Sequence, residues 1–235
     1  MSTSSLWVFG YGSLCWNPGF DYKCTSIGYI HGYSRRFWQG NTTHRGIPGQ
    51  PGRVATLVEE KDSRSYGVAY ELIGDEALKY LEMREVTLGG YATRFTTFYP
   101  SHSNEPFPVL LYIATPINQL WLGPASESEI AEQVIHSTGN TGHNVEYVIR
   151  IADWFRVVFP NVIDFHLFAL EKHIRLQLDK RKIKLETLMG SKKYDYEKGI
   201  IPLASDEVHV EELPAERTMT FASSMQFGGL RCVGL

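Results

Sequence analysis

The sequence is poor in cysteine and has no long apolar run. Its three cysteines, Cys15, Cys24 and Cys232, are an odd number with no C-x-x-C pair among them. That count argues against a disulfide framework and a structural zinc site, and it suits a reducing, cytosolic compartment. The longest clean apolar stretch is Pro108–Ala114 (P-V-L-L-Y-I-A). It falls far short of the roughly 20 residues that span a bilayer, and it reads as a buried strand. The chain opens M-S-T-S-S-L-W, without a basic segment leading into an apolar one, so no secretory signal is expected. An excess of positive charge is missing too. The net charge of −3 gives no global reason to bind nucleic acid or an anionic membrane. The eight histidines are scattered with no H-x-x-x-H pair, and no metal site is expected. There is no Walker A sequence. Gly10-Tyr11-Gly12 begins a G-x-G-x-x-G, but Cys15 stands where the third glycine belongs. No cofactor is expected.

What is present is an ordinary globular composition, 43% hydrophobic and 21% charged over 235 residues. That length suits one domain with an appendage. The first half is rich in β-branched and aromatic residues broken by glycine. Strands are expected at Leu6–Phe9, Thr25–Ile30, Arg35–Gln39, Arg53–Glu59, Tyr66–Leu72, Thr93–Tyr99 and Val109–Thr115. A helix over Asp75–Arg84 interrupts them. From residue 126 the period becomes helical. Ser126-Glu127-Ser128-Glu129 forms a capping box ahead of Ile130, Val134 and Ile135. A second helix is expected over Asn144–Phe159, ended by Pro160, and a third over Val162–Met189. Strands first and helices after predict an α+β domain, with helices packed on a small antiparallel or barrel-like sheet. The domain is expected over residues 6–178. Residues 190–235, acidic and Pro-containing in part, are expected to form a loosely ordered tail. The basic run Lys180-Arg181-Lys182 reads as a solvated helix end rather than a contact for RNA or lipid.

Four segments have candidate chemistry. Val8-Phe9 runs into Gly10-Tyr11-Gly12-Ser13-Leu14. Glycines at positive φ on either side of one large residue would make a tight turn and aim backbone N–H groups inward. Read alone, the segment is either such an anion-binding nest or a plain strand-end turn. Arg84-Glu85 follows the short helix and precedes Gly89-Gly90-Tyr91. Its carboxylate is either a general base in a cleft or half of a surface ion pair. Arg35–Gly52 mixes arginines, aromatics and glycines and reads as an ordered loop, with base stacking as the alternative. Gly139–Tyr147 reads as a helix entry, capped by Asn144, with Glu146 and Tyr147 on its first turns.

Taken in order, the segments are far more specific than any one of them. W-V-F-G-Y-G-S-L at 7–14 is followed by G-Y-S-R-R-F-W-Q-G at 32–40, H-R-G-x-P-G at 44–49 and P-G-R-V-A-T-L at 51–57. Then come G-V-A-Y at 67–70, L-x-x-R-E at 81–85, G-G-Y at 89–91, V-L-L-Y-I at 109–113, L-G-P at 122–124 and N-V-E-Y at 144–147. This order closely resembles the ChaC family of γ-glutamylcyclotransferases specific for glutathione, over roughly residues 7–175. The resemblance implies a small mixed β-barrel with packed helices. It also implies cleavage of glutathione to 5-oxoproline and cysteinylglycine, with no cofactor, metal, nucleic acid or membrane partner. On it, Gly10, Tyr11, Gly12, Ser13, Leu14 and Cys15 match the substrate-binding turn, and Glu85 matches the catalytic acid/base. Tyr147 matches a secondary substrate contact, and Cys15 is a small packing residue. Two alternatives remain: a cyclotransferase for other γ-glutamyl peptides or proteins, and a γ-glutamyl-binding or regulatory protein on the same scaffold.

Overall fold

The computed structural model describes residues 6–87, 90–103 and 105–196. Its centre is a closed barrel of strands β1 (Trp7–Gly10), β2 (Tyr22–Asn41), β3 (Gly52–Leu72), β4 (Ala92–Pro100) and β5 (Phe107–Ile113), in the order β1-β3-β2-β4-β5. Every pairing is antiparallel except β1 with β5, where Val8 faces Leu110 and the barrel closes in parallel. Closure removes the unpaired edges that a small sheet would otherwise expose. The expected α+β class and mixed barrel are both found.

β2 and β3 form one long hairpin, although the sequence pattern reads each as two strands. Their pairing slips between Tyr22 and Cys24, His31 and Tyr33, and Arg36 and Gln39. Gly32, at φ +81°, sits in the middle slip, a conformation that favours glycine. Each slip re-aims the following side chains, so the period-2 pattern breaks while the hydrogen-bonded ribbon continues. Phe9, Ile30, Leu57, Phe98, Val109 and Leu111 are fully buried in the core.

Helix α1 (Gly74–Leu81) crosses after the hairpin and widens into a π-helical turn over Glu82–Thr87. Three further helices pack outside the barrel: α2 (Glu127–His136), α3 (Asn144–Val158) and α4 (Phe165–Arg181). The capping box is as expected. Ser126 Oγ accepts from the Glu129 N–H, and Glu129 Oε2 accepts from the Ser126 N–H at 2.9 Å. A two-stranded turn, β6 (Thr138–Gly139) with β7 (Gly142–His143), leads into α3. The cap of α3 is His143, whose Nδ1 accepts from the Val145 N–H at 3.1 Å, and not Asn144 as the sequence pattern suggests. Asn144 is instead the first helical residue, and its amide pairs both ways with the Arg53 backbone, at 2.6 and 2.9 Å. That pairing ties α3 to β3. The third helix is shorter than expected. It starts after an Asp164 cap and stops where Lys182 turns left-handed at φ 56°.

Residues 190–196, assigned above to a loose tail, pack along α3. Arg150 Nη2 donates to the carbonyls of Gly190 and Lys192, and its guanidinium lies over the Tyr194 ring. Residues 197–235, the rest of that expectation, lie outside the described residues.

One buried cation joins barrel to helices. Arg35, with a fully buried side chain, pairs with Asp164 at the start of α4 and donates to the Tyr11 and Tyr66 carbonyls. Replacing Arg35 with Met should lower the unfolding free energy by about 3 kcal/mol, because Asp164 and two carbonyls lose their donor together. Urea unfolding followed by circular dichroism checks this, and a loss under about 1 kcal/mol would show the pair to be dispensable.

Candidate active site

A cleft of about 400 Å³ opens at one side of the barrel. That is room for a small peptide. Its walls come from segments far apart in the chain: the turn after β1, the 41–45 loop, the start of β3, the π-helical turn, β5, the 141–147 entry to α3, and Tyr194.

The turn after β1 begins at Gly12, with φ −119° and ψ −128°, and continues as a short 3-10 turn over Ser13–Cys15. Its closing bonds run from the Cys15 N–H to the Gly12 carbonyl at 3.0 Å and from the Asn17 N–H to the Ser13 carbonyl at 2.9 Å. The first N–H groups of such a turn have no acceptor within it. The expected positive φ at the flanking glycines is not observed, since neither Gly10 nor Gly12 adopts one. The glycines answer a lack of space instead. A Cβ on Gly10 would lie 2.7 Å from Leu14 Cβ, and one on Gly12 would lie 3.0 Å from the Tyr147 hydroxyl. Tyr11, Gly12, Ser13 and Leu14 line the cleft, whereas Gly10 and Cys15 sit behind that surface. Cys15 Sγ lies 3.6 Å from the Gly10 carbonyl, and burial pushes its thiol up to about 12. It is therefore a neutral packing group at ordinary pH.

Glu85 enters from the π-helical turn, half-buried on the cleft wall. The wider turn is what re-aims a side chain out of the α1 register. The loop that follows is pinned at both ends. The Tyr91 N–H donates to the Glu85 carbonyl and the Gly90 N–H to the Val86 carbonyl, each at 2.9 Å. Gly90 sits at φ +64°, with its carbonyl accepting from Asn118.

Three phenols face this carboxylate. Burial, and after it the Glu85 charge, raises Tyr11 well above an ordinary phenol. Tyr112 is pushed up to about 12 by burial, then by Glu82 and Glu85. Tyr147 is raised by burial first, with Glu85 adding to it. All three therefore stay protonated, as hydrogen-bond donors. The Tyr11 hydroxyl is used by the Tyr112 carbonyl. The Tyr147 oxygen accepts from the Ala55 N–H at 3.1 Å, leaving its own proton to give. The Tyr112 hydroxyl is buried with no partner among the described residues. Among those residues no cluster of three His, Cys, Asp or Glu side chains could hold a metal ion.

Glu85, Tyr147 and the turn, remote in sequence, thus share one cleft. Arg45, Tyr91, Tyr112 and Tyr194 also line the cleft, and the first three lie inside the motifs quoted above. Only Tyr194 has no motif around it.

The ChaC-like protein family model matches residues 6–177. The chain is 54% identical over 173 residues to glutathione-specific γ-glutamylcyclotransferase 1 of Danio rerio, covering 72% of this chain and 88% of that one. It is 49% identical over 170 residues to the Homo sapiens protein of the same name, covering 71% and 77%. The fold matches the crystal structure of a selenomethionine-labelled γ-glutamyl cyclotransferase specific to glutathione from yeast, with TM-score 0.65 and 26% identity over 74% of this chain and 97% of that one. By the matched motifs, the barrel and the cleft between them, the chain belongs to the ChaC-like protein family.

Proposed function

We propose that the protein is a glutathione-specific γ-glutamylcyclotransferase, releasing 5-oxoproline and cysteinylglycine, with Glu85 as the proton-transfer group. The observation that supports this most is a single half-buried carboxylate set among three protonated phenols, in the cleft that the Gly12–Leu14 turn also lines. The names of the relatives support the substrate.

The chemistry follows from the groups present. The substrate's α-amine must attack its own γ-carbonyl to close a five-membered ring. An α-amine has a pKa of about 8 and is mostly protonated at neutral pH. Once the ammonium has given up one proton to solvent, Glu85 takes a second from the amine as the new C–N bond forms and gives it to the cysteinyl nitrogen as the old C–N bond breaks, and the released amine takes up the first. No net proton is consumed. Attack is intramolecular, so holding the γ-glutamyl arm in its folded rotamer supplies much of the rate. In this reading the turn Gly10–Cys15 grips that arm through the cleft-facing residues Tyr11–Leu14, with Gly10 and Cys15 giving the turn its shape. Tyr147 adds a contact to the arm. The Tyr112 hydroxyl, already buried and unpartnered, suits the oxygen that becomes negative during attack.

Two outcomes are expected. Glu85→Gln should lower 5-oxoproline release from glutathione at least about a hundredfold with the fold intact, since general acid–base catalysis is worth that much. Chromatographic assay of 5-oxoproline checks it, and near wild-type turnover would transfer the role to another group, Glu82 first. Cys15 in the native protein should resist iodoacetamide at pH 8, because a thiol near pKa 12 is thiolate in only about one part in ten thousand there. Peptide mass spectrometry reads this, and alkylation at the rate of a free thiol would contradict the buried placement.

A further inference from the structure

Among the described residues, the cleft is lined by one cation that the ring-closing chemistry does not use, Arg45. The Asn41 side chain holds the approach to Arg45 by accepting from the N–H groups of Thr43, His44 and Arg45. Arg45 Nη1 donates to the His143 carbonyl at 3.1 Å and to Glu146 Oε2 at 2.9 Å. Among the described residues, Nε and Nη2 of Arg45 have no hydrogen-bond partner. A guanidinium fixed at Nη1, on a residue that lines the cleft, keeps a two-nitrogen edge that suits a carboxylate.

Glu146 does not cancel that charge. Its other oxygen accepts from Arg150 at 3.3 Å and from the Gly190 N–H at 3.1 Å. Two arginines share one carboxylate. His143 beside them is held neutral by burial, which lowers it, and it serves as the helix cap. Arg150 also clamps residues 190–196: it donates to the Gly190 and Lys192 carbonyls and to the Tyr196 hydroxyl. That strap places the Tyr194 ring on the cleft wall. It lies beyond residue 177, where the family match ends.

Tyr147 sets the spacing. Its hydroxyl lies against Gly12, and its ring lies 5.9 Å from the Arg45 guanidinium carbon. The guanidinium is thus about one tyrosine side chain from the turn. A dipeptide extends about 7 Å, so a tripeptide held at its γ-glutamyl arm delivers its last carboxylate to this neighbourhood.

We propose that Arg45, oriented by Glu146 and walled by Tyr194 of the 190–196 strap, is the subsite that reads the C-terminal carboxylate of the substrate. The inference rests on the glutathione reading above and deepens it: the protein would select γ-glutamyl tripeptide acids over shorter or capped γ-glutamyl amides.

The test compares glutathione with its C-terminal amide, using 5-oxoproline release by the full chain. Wild type should lose about tenfold or more in kcat/KM on amidation, chiefly through KM. Arg45→Gln should raise KM for glutathione and handle acid and amide alike, with kcat little changed. Tyr194→Ala should raise KM for glutathione several-fold and keep kcat. Arg45→Lys, which keeps the buried charge opposite Glu146, guards against a misfolded Gln variant and should lose only part of the discrimination. Equal use of acid and amide by wild type, or full discrimination in both Arg45 variants, would overturn the subsite while leaving the cyclotransferase reading intact. Failure of wild type on both compounds would remove that reading and the subsite with it.

Discussion

A guanidinium sealed inside a protein must meet an acceptor along each edge, and Arg35 organises this molecule by doing so. Its Nε reaches the Tyr11 carbonyl, Nη2 the Tyr66 carbonyl and Nη1 the Asp164 carboxylate, while its face lies on Phe155. Those groups belong to the cleft turn, to β3, to the start of α4 and to α3. Asp164 in turn caps α4 by accepting from the Leu167 N–H at 3.0 Å. The turn that walls the cleft is therefore fixed by a charge on the far side of its own backbone. Burying such an ion is costly, and exchange of the whole Arg35–Asp164 pair for hydrophobic residues of similar volume is often neutral, unlike loss of one partner. What the arginine adds is direction, because its planar fork allows one mutual placement of barrel, turn and helices.

The cleft repeats the same device at smaller scale. Asn144 pairs with both polar groups of Arg53, and Arg53 reaches on to Gln133 and to the carbonyls of Phe37 and Gly123. α3 is thereby held in register with β3, and Tyr147, one turn along, arrives at the Ala55 N–H. Backbone fills the remaining space. Gly12 is needed because Tyr147 comes so close, and Gly46 because a Cβ there would lie 2.1 Å from the Gly52 nitrogen. A site made by close approach of backbone and phenols has few rotamers to lose, which suits a reaction that depends on holding one substrate conformation.

Local rules were enough for much of this. The Ser126–Glu129 box announces α2 because capping is a short-range exchange of hydrogen bonds. The start of α3 and the strand content of the first half are legible for similar reasons. Less legible is whatever depends on a distant partner. β2 and β3 look like four strands because their bulges break the alternation, and only pairing along the hairpin shows them to be continuous. Asn144 looks like a cap because asparagine favours caps, yet the Arg53 backbone competes for its amide and wins. Glu85 and the turn stand out in the motif order, but their meeting in one cleft is a tertiary fact. Tyr194 gives no local sign at all, since its role comes from an arginine on α3.

The phenols shape the proton chemistry of the cleft. A cleft that must deprotonate an amine and then reprotonate a leaving nitrogen works best with one group of intermediate basicity. Tyr11, Tyr112 and Tyr147 are each pushed upward by burial first, and the charge of Glu85 pushes the same way. The coupling is mutual: a phenol that resists ionising beside a carboxylate stays a donor and leaves that carboxylate as the acceptor in the cleft. The buried Cys15 thiol, also pushed up, is withdrawn from the chemistry by the same means. On the proposed reading, burial keeps the phenols of the cleft protonated, with Tyr112 and Tyr147 left to hold the substrate, and one carboxylate moves its protons. The same cleft keeps a fixed positive charge on Arg45, which on that reading holds a carboxylate without disturbing that division.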